Sequence, residues 1–205
     1  MKPPSDGLTS IFARISPLLT ARPCQPLAKL RRDIITVSLI VAGARVPLIQ
    51  QLTGLSADRL RQLHNEINRR SSASGRVPTQ PFLAGPGHSL RRAEATLFMR
   101  HWLTGTDGDS TVRMLVAYYG YHDQRRAYKL PGEPLAFERC QLVVACWRAD
   151  DGAGVLDGDE FVPWVACRTC NQDTLAETLF AQCPWCAGTL DISARLRGRA
   201  GRKKR

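Results

Sequence analysis

Two Cys-x-x-Cys pairs, Cys167/Cys170 and Cys183/Cys186, stand twelve residues apart in ACRTCNQDTLAETLFAQCPWCAGTL, residues 166–190. Two intervening residues let both sulfurs of a pair point at one ion across a tight turn. The segment between the pairs then has only to return the chain to that ion. Thiolates suit a soft or borderline cation, and four of them close a tetrahedral shell with no position left for water. The pattern therefore predicts one zinc ion per chain in a structural role. An iron site of the same geometry shares the spacing. A thioredoxin-like redox pair at CPWC is a further alternative, and it leaves the first pair unexplained. Cys140 and Cys146 fall on an apolar helical pattern and read as core residues. Cys24 has no evident partner.

Seven cysteines without a secretory signal indicate a reducing compartment, in which paired thiols bind metal. A cytoplasmic location follows from this reading. The longest apolar run, ITVSLIVAG, is too short to span a membrane. Near the N-terminus Arg14, Pro17, Arg22 and Pro23 interrupt the apolar pieces that a signal peptide would need, although GLTSIFARISPLLTARP has the Arg-bearing, acid-poor character of a transit peptide. A net charge of +11 and a pI near 9.8 point to a polyanionic partner.

The expected fold is mainly α, a helical domain with a helix-turn-helix-like unit followed by a small zinc-binding region built on four cysteines. Residues 1–27 carry five prolines and read as an extension. Residues 28–70 form the helix-turn-helix-like unit, 71–88 the linker containing SSASGRVPTQP, and 89–150 a helical core. The zinc region covers 160–192 and a basic tail covers 193–205. In LRRDIITVSLIVAG the apolar residues Leu30, Ile34, Val37 and Val41 recur at spacings of four, three and four and predict the first helix. Later helices are expected in SLRRAEATLFMRHWL, STVRMLVAYYGY and PLAFERCQLVVACW.

VPLIQQLTGLSADRLRQLHNEI reads as helix, glycine turn, helix. Ser56 is the expected N-cap of the second helix. Ile49, Leu52, Leu55, Leu60 and Leu63 supply packing, which leaves Ser56, Ala57, Asp58, Arg61, Gln62 and Asn65 outward. Arg, Gln and Asn are the side chains whose donors match base edges in the major groove, so this face is the candidate DNA reader. A helical hairpin with a polar surface is the plain alternative, and Gln50 stands where close helix approach favours a small residue. The tail RLRGRAGRKKR, ending in Arg202, Lys203, Lys204 and Arg205, has seven cations and no acid. Such a block is solvated, and it can lie along phosphates without reading sequence.

No catalytic set emerges. His64, His88, His101 and His122 are dispersed, DGDE at 157–160 lacks the other ligands of a calcium loop, and no phosphate-cradling glycine motif is present. An enzyme is not expected.

Taken in order, LIVAGAR, LTGLSADRLRQLHNEI, VPTQPF, ATLFMRHWL, AYYGY and the two cysteine pairs resemble the FlhC family of bacterial flagellar transcriptional activator subunits. The resemblance runs over roughly residues 30–190. It implies a hetero-oligomer with an FlhD-like partner that binds double-stranded DNA at flagellar promoters and activates transcription. It also implies zinc on Cys167, Cys170, Cys183 and Cys186. Arg45, in the GAR triplet, matches an arginine of the family pattern and belongs either near DNA or in an inter-helix ion pair. A partner is expected to cover apolar helix surface between Ser89 and Trp147. The extension, the short segment between cysteine pairs and the basic tail depart from the family pattern. The competing function is a basic zinc-ribbon protein that binds RNA or the ribosome.

Overall fold

The computed structural model describes residues 25–69, 78–85, 87–106, 108–149, 153–176 and 183–186. The extension up to residue 24, residues 71–77 and 86 of the linker, and the tail with Arg202, Lys203, Lys204 and Arg205 lie outside the described residues.

The core forms around the pair α4 (Ser89–Thr104) and α5 (Ser110–Ala127). Every residue of α4 from Arg92 to Met99 is buried, as in a helix enclosed on all sides. Its polar members are satisfied internally. Arg92 donates to the carbonyls of Leu83 (2.8 Å) and Gly85 (3.0 Å), and Arg125 of α5 donates to Glu94 at 2.7 Å. Desolvation raises the Glu94 carboxyl, and the Arg125 hydrogen bond and charge oppose that shift. Close approach of the two helices requires Gly120, because a Cβ there would lie 2.7 Å from Nδ1 of His101. Asp109 caps α5, accepting from Thr111 (2.8 Å) and Val112 (3.2 Å). The expected partner surface between Ser89 and Trp147 is largely consumed by this packing. Leu103 and Tyr128 are its exposed large apolar residues.

Three N-terminal helices, α1 (Gln25–Val41), α2 (Val46–Thr53) and α3 (Ala57–Asn68), pack together, and α1 also packs against α5. Leu39, Ile40, Ile49 and Leu60 are fully buried there. The apolar stripe that marks α1 as a helix is not the face it buries. Leu30, Val37 and Val41 are 54, 42 and 38% exposed and Ile34 is half-buried, whereas Ile35, Thr36, Ser38, Leu39 and Ile40 face inward. Thr36 and Ser38 are accommodated by donating to the carbonyls of Arg32 (2.7 Å) and Ile34 (2.8 Å), so two polar residues occupy a face that periodicity assigns to solvent.

After α6 (Phe137–Ala145) the chain enters an antiparallel meander of β1 (Trp147–Arg148), β2 (Gly154–Asp157), β3 (Glu160–Ala166) and β4 (Asp173–Leu175), in that order. The sequence pattern does not predict this sheet. The Asp157 carboxylate accepts from the backbone N–H of Phe82 (3.0 Å), Leu83 (2.5 Å) and Ala84 (2.8 Å). The acidic DGDE turn thereby ties the segment before α4 to the sheet. At the other edge β4 docks on α4, where Leu175 N–H donates to Oγ1 of Thr96 at 2.9 Å.

Candidate metal centre

The sheet positions the first cysteine pair. β3 ends at Ala166, and a tight turn closes with Cys167 N–H donating to Gln172 (3.0 Å) and Asn171 N–H to Cys167 (2.8 Å), before β4 begins. Asn171 takes the positive φ of 56° that this turn requires. Cys183–Cys186 forms a second turn, in which Cys186 N–H donates to Sγ of Cys183 at 3.4 Å. Sγ of Cys167 lies between the two turns and accepts from Cys183 N–H (3.2 Å) and Thr169 N–H (3.4 Å).

All four sulfurs lie within 4.8 Å of one another, and Cys170 and Cys183 are 3.7 Å apart. A tetrahedral ion at a zinc–sulfur distance of about 2.3 Å requires sulfur–sulfur separations of about 3.8 Å. The donor set and its spacing therefore fit a metal ion. Backbone donors from Cys183 and Cys170 hold the Cys167 thiol down to about 6, the direction that favours the thiolate a metal takes. Burial raises Cys183, and hydrogen bonds with the Cys183 and Cys170 side chains push Cys186 up to about 12. A cation bound by the four sulfurs would displace their protons. Four protein ligands would close the shell of such an ion, which would then act as a staple between the end of β3 and the second turn. Cys140 is buried in the core, as expected, and Cys146 is half-buried; burial raises both thiols.

Sequence reasoning missed the residues that seat this centre. Arg100 donates from Nη2 (2.6 Å) and Nε (3.1 Å) to the Asp173 carbonyl, and its guanidinium lies 5.7 Å from the Trp185 ring. The Trp185 and Tyr128 rings are 5.8 Å apart. A tryptophan inside a Cys-x-x-Cys turn is the one available signal, since so large an apolar ring needs a surface to cover it.

The second candidate site is α3. Its inner side carries Leu60 and His64, both buried. Ser56, Asp58, Arg61, Gln62 and Asn65 are all exposed, as expected, while Ala57 is half-buried. Ser56 is the N-cap, accepting from Arg59 N–H at 3.4 Å. The preceding turn uses Gly54 at φ 70°, a left-handed conformation that favours glycine. Arg61 donates to Asp58 at 2.7 Å and Arg59 to Gln62 at 3.1 Å, so the polar row is internally paired. Arg45 is placed apart from this row, before α2, with Nε 4.0 Å from Glu138 of α6. This contact is an ion pair between elements of the kind the sequence allowed for Arg45.

No helix among the described residues is long and apolar enough to cross a membrane. No protein-family profile matches the chain, and no curated protein matches it.

Proposed function

We propose that this chain is a DNA-binding transcriptional activator subunit of FlhC type, acting in the cytoplasm with an FlhD-like partner at promoters of flagellar operons. The observation that carries the reading is α3, a helix with Leu60 fully buried on one side and Arg59, Arg61, Gln62 and Asn65 exposed on the other. A short left-handed turn after α2 delivers it, and these side chains can donate to base edges and phosphates. The chain's charge of +11 supports the same polyanionic target. The bound ion is zinc, favoured by four thiol ligands and a closed shell. Arg202, Lys203, Lys204 and Arg205 add phosphate neutralisation.

The partner surface belongs on α1 rather than on the helices after Ser89. Leu27, Leu30, Ile34, Val37 and Val41 recur at alternating spacings of three and four, the seam of a two-helix coiled coil, and Leu27 is 53% exposed. That seam suits a helix of the FlhD-like partner.

The test is a titration of flagellar-promoter duplex, scrambled duplex and RNA of equal length at one salt concentration, with and without an FlhD-like protein. The expected result is preferential binding of the promoter duplex, strengthened by the partner and losing that strengthening in Val37→Lys. Preference for RNA would overturn the reading in favour of a zinc-ribbon protein of RNA or the ribosome. Partner-independent behaviour, or self-association through α1, would remove the FlhD-like component.

A further inference from the structure

We infer that Arg100 is a positioning residue for the metal centre, holding both cysteine turns against α4 so that metal affinity depends on this seat. The inference rests on the metal reading of the four cysteines and assigns a role to residues that pattern does not contain. Arg100 reaches both halves of the site with one planar group. Two of its nitrogens grip the carbonyl of Asp173, three residues after Cys170, while the guanidinium covers Trp185, between Cys183 and Cys186. Twelve residues of chain separate the two turns, and alongside the sulfurs this side chain joins them.

The neighbours reinforce the arrangement. Thr96 lies one turn before Arg100 on the same face of α4 and accepts Leu175 N–H at 2.9 Å, fixing β4 along the helix. Tyr128, which follows α5, meets Trp185 at 5.8 Å. The second turn is therefore seated on α4 and on the residue that ends α5. Holding four sulfurs near their final separations before an ion arrives lowers the ordering that binding requires, so affinity depends on the seat as well as on the ligands. A lysine retains a cation near the ring but cannot grip the carbonyl through two nitrogens of one plane.

The experiment measures zinc affinity of the full chain by competition with a chromophoric chelator, alongside hydrogen exchange of residues 96–104 in loaded and chelated protein. Arg100→Ala and Trp185→Leu should each weaken zinc binding by about tenfold or more, with Arg100→Lys in between. Arg113→Ala is the control. It removes another arginine–tryptophan contact, Arg113 over Trp102 at 4.3 Å, whose two residues lie on the same helix pair. It should leave zinc affinity unchanged. Chelation should speed exchange in α4 of the wild type. Wild-type affinity in both Arg100 variants and in Trp185→Leu would overturn the inference while leaving the metal reading intact. Equal losses in the Arg113 control would reduce Arg100 to general stability. A wild type that binds no zinc would defeat the metal reading and this one with it.

Discussion

The backbone N–H of Arg45 donates to Oε1 of Glu138 at 2.7 Å, and the Arg45 guanidinium Nε lies 4.0 Å from the same oxygen. Ninety-three residues separate the two in sequence. The contact ties the start of α2 to α6, and the Glu138 side chain is only 5% exposed. Removing the carboxylate deprives a part-buried backbone donor of its acceptor, a more damaging change than removing the arginine side chain. Glu138→Leu should lower unfolding free energy by about 1–3 kcal/mol, measured by chemical denaturation. Arg45→Ala should cost less, because its backbone N–H keeps its acceptor, and should leave DNA affinity of the folded protein unchanged. A selective loss of affinity would instead place Arg45 on DNA.

Purified protein should carry one zinc per chain by elemental analysis. Cys167→Ser should release it, because Cys167 receives N–H donors from Cys183 and Thr169 and stands between the two turns. Loss of a closed site removes folding energy from the region it staples, so β3 and β4 should melt or exchange faster. Retention of stoichiometric zinc in this variant, or iron in the wild type, would contradict the assignment.

Arg61 and Leu60 are neighbours in sequence with opposite expected effects. The Arg61 side chain is 63% exposed, so Arg61→Ala should leave the melting temperature nearly unchanged while weakening DNA binding by about 1–3 kcal/mol and relaxing sequence preference. Leu60 is fully buried, and Leu60→Asp should unfold the N-terminal helices by burying a charge without a partner. Melting measured beside a binding titration separates the two. Unaltered affinity and preference in Arg61→Ala would exclude base reading by this residue.

Acid should destabilise the protein through His122. Burial against Tyr118 and Tyr121, whose rings are 4.5 and 4.9 Å away, lowers its pKa to about 4; Arg125 and Arg126 contribute to the lowering, and Asp123 opposes them. The unfolded imidazole titrates near 6.5. Between these values the unfolded chain binds the extra proton, so the stability from a neutral His122 is present above about pH 6.5 and lost as pH falls towards 4. Burial lowers His101 too, giving the same sign. Denaturation midpoints from about pH 7.5 to about pH 4.5 should fall, and His122→Gln should recover about 1–3 kcal/mol of the difference. A parallel decline in the variant would assign the acid sensitivity to other groups.

The sequence by itself determined the local features, since their causes lie within a few residues. Two-residue spacing brings the sulfurs of each cysteine pair together, Ser56 caps α3, Gly54 supplies the left-handed turn, and the helix windows follow apolar recurrence. Tertiary structure alone decided which face α1 buries. The α1 stripe of Leu30, Ile34, Val37 and Val41 has the better period, but α2, α3 and α5 pack on the side of Ile35, Leu39 and Ile40. Thr36 and Ser38 are tolerated there because each donates to its own helix. The sheet was equally hidden, for strands of two to seven residues leave little alternation to read, and their pairing depends on distant partners. The seat under Trp185 belongs to this second kind. Arg100 and Tyr128 acquire their roles only when the core helices meet a turn more than fifty residues further along the chain. Such contacts arise from the global packing of apolar surface, which no local pattern encodes.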